Sequence, residues 1–143
     1  RQYMEEQLVE LRQIRNFPLS IISADLDGLK EVNDSLGHQA GDELLRRFAN
    51  ILRESHNKYE EIFRIGGDEF IIIATKCNEK AAAKLITKID QRISKHNSLP
   101  SSSLKISASI GYATSEHFAI SLSTMLAQAD KAMYKIKNAK KVQ

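Results

Sequence analysis

The 143-residue sequence predicts an α+β fold, an antiparallel sheet with helices over one face or both. Apolar residues recur every three or four positions in four segments, and β-branched runs lie between them. Two of those runs flank Gly66 and Gly67, the sequence form of a hairpin.

In chain order, Met4, Leu8, Leu11 and Ile14 give an amphipathic helix over residues 2–15, ending before Pro18. LSIISADL, residues 19–26, is a strand. Leu44, Leu45, Phe48, Ile51 and Leu52 mark a core-facing helix from His38 to about Ser55. Residues 59–75 read as a β-hairpin, its Gly-Gly pair suiting a two-residue turn with positive φ. Ala82, Leu85, Ile86, Ile89 and Ile93 make the next helix, closed by the loop-like HNSLPSSS. LKISASIGYAT is an alternating strand. Leu122, Met125, Leu126, Ala129, Met133 and Ile136 form the last helix, whose other face carries lysines. The order is helix, β-α-β-β-α-β, helix, the pattern of ferredoxin-like and polymerase-palm sheets. In that topology the third strand runs antiparallel beside the first. Asp25 then meets Asp68 and Glu69, more than forty residues away in sequence.

With 42% hydrophobic and 27% charged residues the composition is globular, and no apolar run reaches the roughly 20 residues that cross a bilayer. This argues against direct membrane contact. The formal net charge of +3 suits phosphate ligands but is too small for a nucleic-acid polymer. Cys77 is the only cysteine, which excludes an intrachain disulfide and a Cys-based zinc site and fits the cytoplasm. The chain opens on Arg1, so it reads as one domain of a longer protein whose sensor or membrane-anchoring parts lie elsewhere. No internal repeat occurs.

Five of the six glycines fall in two stretches, DLDGLKEVNDSLGHQAGDE and RIGGDEF. Clustered carboxylates repel one another unless a cation neutralises them. Mg²⁺, with Mn²⁺ as the alternative, takes oxygen ligands: one or two carboxylates completed by substrate phosphates. Asp25, Asp68 and the Leu26 carbonyl form such a set, with Glu69 beside them. Gly28, Gly66 and Gly67 allow main-chain amides to approach phosphate, and the helix opening at Leu29 points its positive end there. The site drawn this way holds a metal-bound nucleoside triphosphate. Each stretch alone also reads as turn chemistry, DLD as a helix cap and GGDE as a hairpin tip; their convergence favours the site. DLDGLKEVNDSL is not an EF-hand loop, because glycine stands fourth instead of sixth and Leu36 stands twelfth. No Walker A loop occurs.

These residues resemble a known family. RIGGDEF is similar to the signature of the GGDEF-domain diguanylate cyclases. DLDGLKEVND is similar to that family's D-x-D-x-[FL]-K-x-[IV]-N-D, GHQAGDELL to its G-H-x-x-G-D-x-x-L, and QADKAMYKIK to its A-D-x-A-[LM]-Y-x-A-K. The similarity spans essentially the whole chain, residues 1–143, as one GGDEF domain of nucleotide-cyclase type. It implies a Mg²⁺-dependent cyclase that condenses two GTP into cyclic di-GMP, releasing two pyrophosphates. It also implies a second copy of the domain as partner, since each site holds one GTP. By resemblance Asp25, Leu26 and Asp68 hold the metal, and Asp68 or Glu69 deprotonates the 3′-hydroxyl. Asn33 and Asp42 read the guanine edge. Lys30, Lys137 and Lys141 meet the phosphates.

The chain departs from the family in three places. The opening D-x-L-T-G-L-x-N-R-R is reduced to Arg1 and Gln2. The C-terminal G-R-[ND] becomes Lys140, Lys141 and Val142, so Lys141 keeps the arginine's charge but loses its fork. The R-x-x-D of product inhibition becomes Asn57, Lys58, Tyr59 and Glu60, and no product-inhibition site is expected. These departures keep an alternative open, a catalytically silent GGDEF domain that binds GTP and regulates an adjacent output domain. Another palm-type nucleotidyl transferase is a third reading. His38 reads as a helix-start residue, His56, His96 and His117 as surface residues, and Cys77 as packing. Lys131 and Lys135 read as a solvated face, Met133 and Tyr134 as core.

Overall fold

The computed structural model describes residues 17–55, 59–117 and 121–141. The helix expected over residues 2–15 lies outside them, as do His56, Asn57, Lys58 and Val142. Strand β1 is Leu19–Leu26, followed by helices α1, Leu29–Leu36, and α2, His38–Ser55. Strands β2, Glu60–Arg64, and β3, Glu69–Ala74, form the hairpin. Helix α3 is Glu79–Ser98, β4 is Ala108–Ser115, and α4 is Leu122–Lys141. The sheet has the order β2-β3-β1-β4 with every pair antiparallel, so the expected α+β arrangement is present.

All eight residues of β1 are buried, because helices cover both faces of the sheet. Alternation divides them. Ile22, Ala24 and Leu26 join Leu44, Phe48 and Leu52 of α2, Ile89 of α3, and Phe70 and Ile72 of β3 in one core. Phe48 and Phe70 meet edge to face at 5.4 Å, a contact that adds about 1 kcal/mol to their burial. Leu19 and Ile21 face the other way, with Ile71 and Ile73, onto Met125 and Ala129 of α4. Continuing that face, Ser23 and Asp25 also turn to α4: the Ser23 hydroxyl donates to Asp130 at 2.7 Å, and Asp25 pairs with Lys137. The face is therefore apolar where the strand begins and polar where it ends.

Two glycines bracket α1. Gly28 and Gly37 have φ of 76° and 90°, the left-handed region that side chains resist, and they turn the chain into and out of this short helix. Helix α3 is capped by Asn78, whose side chain accepts from the Ala81 amide at 2.8 Å.

The hairpin differs from its expected form. Neither Gly66 nor Gly67 takes positive φ. The Ile65 amide donates to the Glu69 carbonyl at 3.0 Å, which closes a longer loop that needs no primed turn. The Arg64 guanidinium fastens it by donating to the carbonyls of Gly66 at 3.1 Å and Gly67 at 2.8 Å. Strand β4 starts at Ala108, later than expected, because the Asn97 side chain accepts from the Ile106 amide and donates to its carbonyl. In α4 the core stripe ends at Met133. Tyr134 and Ile136 are exposed, and the next core-facing place belongs to Lys137, opposite the polar end of β1. His96 is half-buried at the surface, against Arg47 and Asn97. Cys77 is buried, and burial pushes its thiol up, as packing requires. Among the described residues no helix is long and apolar enough to cross a membrane.

Candidate active site

The antiparallel register sets Asp25 opposite Glu69, and the Leu26 amide donates to the Asp68 carbonyl at 2.9 Å. The expected convergence of Asp25, Leu26, Asp68 and Glu69 is thus built by the β1–β3 ladder. Asp25 is 5% exposed. Its Oδ2 accepts from the Lys137 ammonium, while its Oδ1 is buried with no hydrogen-bond partner among the described residues. Burial raises the Asp25 carboxyl above the usual range; Lys137 pulls it down, but Asp68 raises it further. Burial also raises Glu69, with Asp130, Asp25 and Asp68 adding repulsion. Burial alone would lower the Lys137 ammonium, yet Asp25 and the neighbouring carboxylates hold it above its ordinary value. The two partners shift in the same direction for different reasons. Lys137 gains from the pair, whereas for Asp25 one cation does not offset burial and a second carboxylate.

An orphaned buried oxygen costs on the order of 1–3 kcal/mol unless something binds it. The donors here, two carboxylates and a backbone carbonyl, are all hard oxygens and fit Mg²⁺ or Mn²⁺. Among the described residues no three His, Cys, Asp or Glu side chains form a cage for an ion. Such a site leaves positions for water and phosphate, the usual Mg²⁺ arrangement.

Beside the carboxylates lies an open cleft of about 410 Å³. Gly28, Leu29, Lys30, Asp68, Lys137 and Lys141, all expected at the site, line it. Asp27, Glu31, Ser107 and Lys140 line it too and were not anticipated. Asp27 Oδ2 accepts from Lys140 at 2.9 Å and from the Ser107 hydroxyl at 2.8 Å, and its Oδ1 accepts from the Ser109 hydroxyl at 2.9 Å. Burial opposes ionisation of Asp27, but these three donors hold its carboxyl below the usual range. The available signals were the two-residue spacing from Asp25 and the three-residue spacing from Lys137 to Lys140. These put each on the same face as its neighbour.

A carboxyl depressed in the folded state stabilises the fold above its unfolded pKa, and that stability is lost as pH falls through the folded value. Asp27→Asn is expected to cost about 1.5–3 kcal/mol at neutral pH, the worth of hydrogen bonds to a charged group. The deficit should shrink as pH falls below the ordinary value of 3.8. Urea unfolding of both proteins across that range measures it, and a pH-independent gap would contradict the assignment.

Asn33 packs against Gly41, the residue before Asp42, where α1 lies on α2. The Asn33 Oδ1 lies 1.7 Å from where a Cβ on Gly41 would stand, so the missing side chain of Gly41 is the slot that seats the carboxamide. Asp42 is exposed and does not line the lysine cleft. It borders a second cleft of about 390 Å³ with Leu45, Arg46, Arg53 and Arg64. Gly66 and Gly67 sit exposed at the hairpin tip, and the described structure does not place them on the lysine cleft. Lys131 and Lys135 are exposed, as is His38.

Comparison with known proteins identifies the class to which this fold belongs. The family model "Diguanylate cyclase, GGDEF domain" matches residues 1–143, and the chain belongs to that family. It is 36% identical over 128 residues to the bifunctional diguanylate cyclase/cyclic di-GMP phosphodiesterase MucR of Pseudomonas aeruginosa, covering 90% of this chain and 18% of that protein. To the diguanylate cyclase DgcS of Shewanella oneidensis it is 36% identical over 119 residues, 83% of this chain and 39% of that protein. Among solved structures, the active GGEEF domain of a diguanylate cyclase from Vibrio cholerae superposes with a TM-score of 0.77 at 30% identity, covering 96% of this chain and 85% of that one. The chain thus spans well under half the length of these two curated relatives.

Proposed function

We propose that this domain is an active diguanylate cyclase half-site that, with a second copy, condenses two GTP into cyclic di-GMP. The observation that carries the reading is the buried, unpartnered Oδ1 of Asp25 beside Asp68, at the edge of a lysine-lined cleft. Asp25, Asp68 and the Leu26 carbonyl would hold Mg²⁺, or Mn²⁺ in its place. A hard divalent cation bound there supplies neutralisation of the triphosphate charge and lowers the pKa of the attacking hydroxyl.

The chain's own groups do the rest. Asn33 and Asp42 read the guanine edge with an amide and a carboxylate. Lys30, Lys137 and Lys141 neutralise phosphate, with main-chain amides at Gly28 and Leu29 available to its oxygens. Asp68 or Glu69 takes the 3′-hydroxyl proton. The freed oxygen attacks the α-phosphorus of the GTP held by the partner copy, and pyrophosphate leaves. The same exchange in the other direction closes the ring. Phosphoryl transfer of this kind is mostly positioning and charge neutralisation, which is what the β1–β3 end and the end of α4 provide.

GTP as substrate suits a domain working in the cytoplasm, with GTP and a second copy as its partners. Glu60 lies in β2 where the family's product-binding aspartate would stand, and we read this domain as lacking product inhibition. One observation favours the silent alternative. Lys137 already supplies a cation to Asp25, and a chain in which that pair outcompetes a divalent ion would bind GTP without turnover.

Because each copy holds one substrate, activity per molecule should climb with protein concentration. Cyclic di-GMP production measured over a hundredfold concentration range checks this, and a flat specific activity would overturn the half-site mechanism.

A further inference from the structure

We infer that Lys140 is a terminal-phosphate ligand of the cleft and that it carries the role which resemblance assigns to Lys141. The inference rests on the proposed triphosphate reading and adds a residue to it. Four lysines line the cleft, and their circumstances differ. The Lys137 ammonium pairs with Asp25, which the proposed reading gives to the metal. Lys30, Lys140 and Lys141 are all exposed, and no hydrogen bond or ion pair among the described residues holds Lys30 or Lys141. Lys140 is different, because its ammonium donates to Asp27 Oδ2 at 2.9 Å and to the Ala108 carbonyl at 2.5 Å.

An ammonium has three N–H donors, so two protein acceptors leave one for the cleft. Asp27 is itself fixed by Ser107 and Ser109, which makes it an anchor for Lys140 rather than a metal ligand. Part of the side-chain entropy that a free lysine loses on meeting a phosphate has already been lost by Lys140 to these two contacts. A charged phosphate oxygen is also a stronger acceptor than the neutral Ala108 carbonyl. Lys140 can therefore exchange that carbonyl for phosphate while Asp27 keeps its aim. Lys141, one position further round α4, has no such support.

The test is calorimetric titration of the 143-residue chain with three probes in Mg²⁺ buffer: GTP, GMP and inorganic tripolyphosphate. Lys140→Met should weaken GTP and tripolyphosphate about tenfold or more, the scale of one charge-assisted bond, and leave GMP within about twofold. Lys140→Arg should restore most of the affinity, and Lys141→Met should weaken GTP less than Lys140→Met does. Thermal unfolding of each variant accompanies the titrations. If Lys140→Met does not fold, Lys140→Gln, which keeps a donor for the Ala108 carbonyl, makes the same comparison. A larger loss in Lys141→Met than at position 140 overturns the inference. An equal loss for GMP and GTP overturns it too, marking Lys140 as a strut between α4 and the sheet. Binding of tripolyphosphate without GTP would refute the proposed function while still scoring Lys140 on the phosphate probe. Binding of neither probe refutes both.

Discussion

Asp68→Asn is expected to lower cyclic di-GMP synthesis on the order of 10³-fold, the scale of removing one electrostatic stabiliser of a transition state, while the fold keeps its stability. The substitution is isosteric, and the Asp68 carbonyl that accepts from Leu26 belongs to the backbone and is unchanged. Asp68 is among the groups that raise the carboxyl of Asp25, so losing its charge relieves repulsion at a buried site. The unfolding midpoint should therefore stay level or rise slightly. Turnover assays paired with urea unfolding measure both effects. Activity within tenfold of the parent would remove Asp68 from the chemistry.

The second large effect lies away from the carboxylates. Gly111 in β4 lies directly against the backbone of α4: a Cβ there would stand 2.2 Å from the Met133 amide nitrogen and 2.6 Å from the Ala132 carbonyl carbon. Both are helix backbone, so no side chain can swing aside. Gly111→Ala should force α4 outward by about 1 Å, loosening Ala129 and Met133 and drawing Lys137 and Lys140 from Asp25 and Asp27. Overpacking of this kind costs about 1–3 kcal/mol, and the upper end is expected where backbone must move. Phosphate binding should fall further than stability alone explains, because both lysines leave their anchors together. A variant with parental stability and tripolyphosphate affinity would show that α4 is not held at Gly111.

The core of this fold was legible because its periodicities are clean. The apolar stripe of α2 and the β-branched run of β1 each have one reading, and the strand order then forces Asp25 beside Asp68 and Glu69 without any side-chain detail. Missed features depend on where helices end relative to the sheet. Helical spacing gives Ile136 the same standing as Met133, but α4 outruns the apolar half of β1, so Ile136 emerges into solvent and Lys137 turns inward. The same overrun brings Lys140 to Asp27, across 113 residues of sequence. Gly111 drew no reading from the sequence, since nothing in SASIGYATS reports that a helix backbone crosses above it. The hairpin tip failed for a local reason. A Gly-Gly pair is compatible with a primed turn but does not require one, and Arg64 holds the longer loop instead.

The reading as an active half-site is tested most directly by supplying GTP and Mg²⁺ to the domain, free at high concentration and tethered as a dimer, and identifying the product by chromatography. The account predicts cyclic di-GMP and pyrophosphate in both preparations, with the tethered pair faster per site at low concentration. GTP bound but unconverted by the tethered dimer would contradict it and leave a regulatory domain in which Lys137 keeps Asp25.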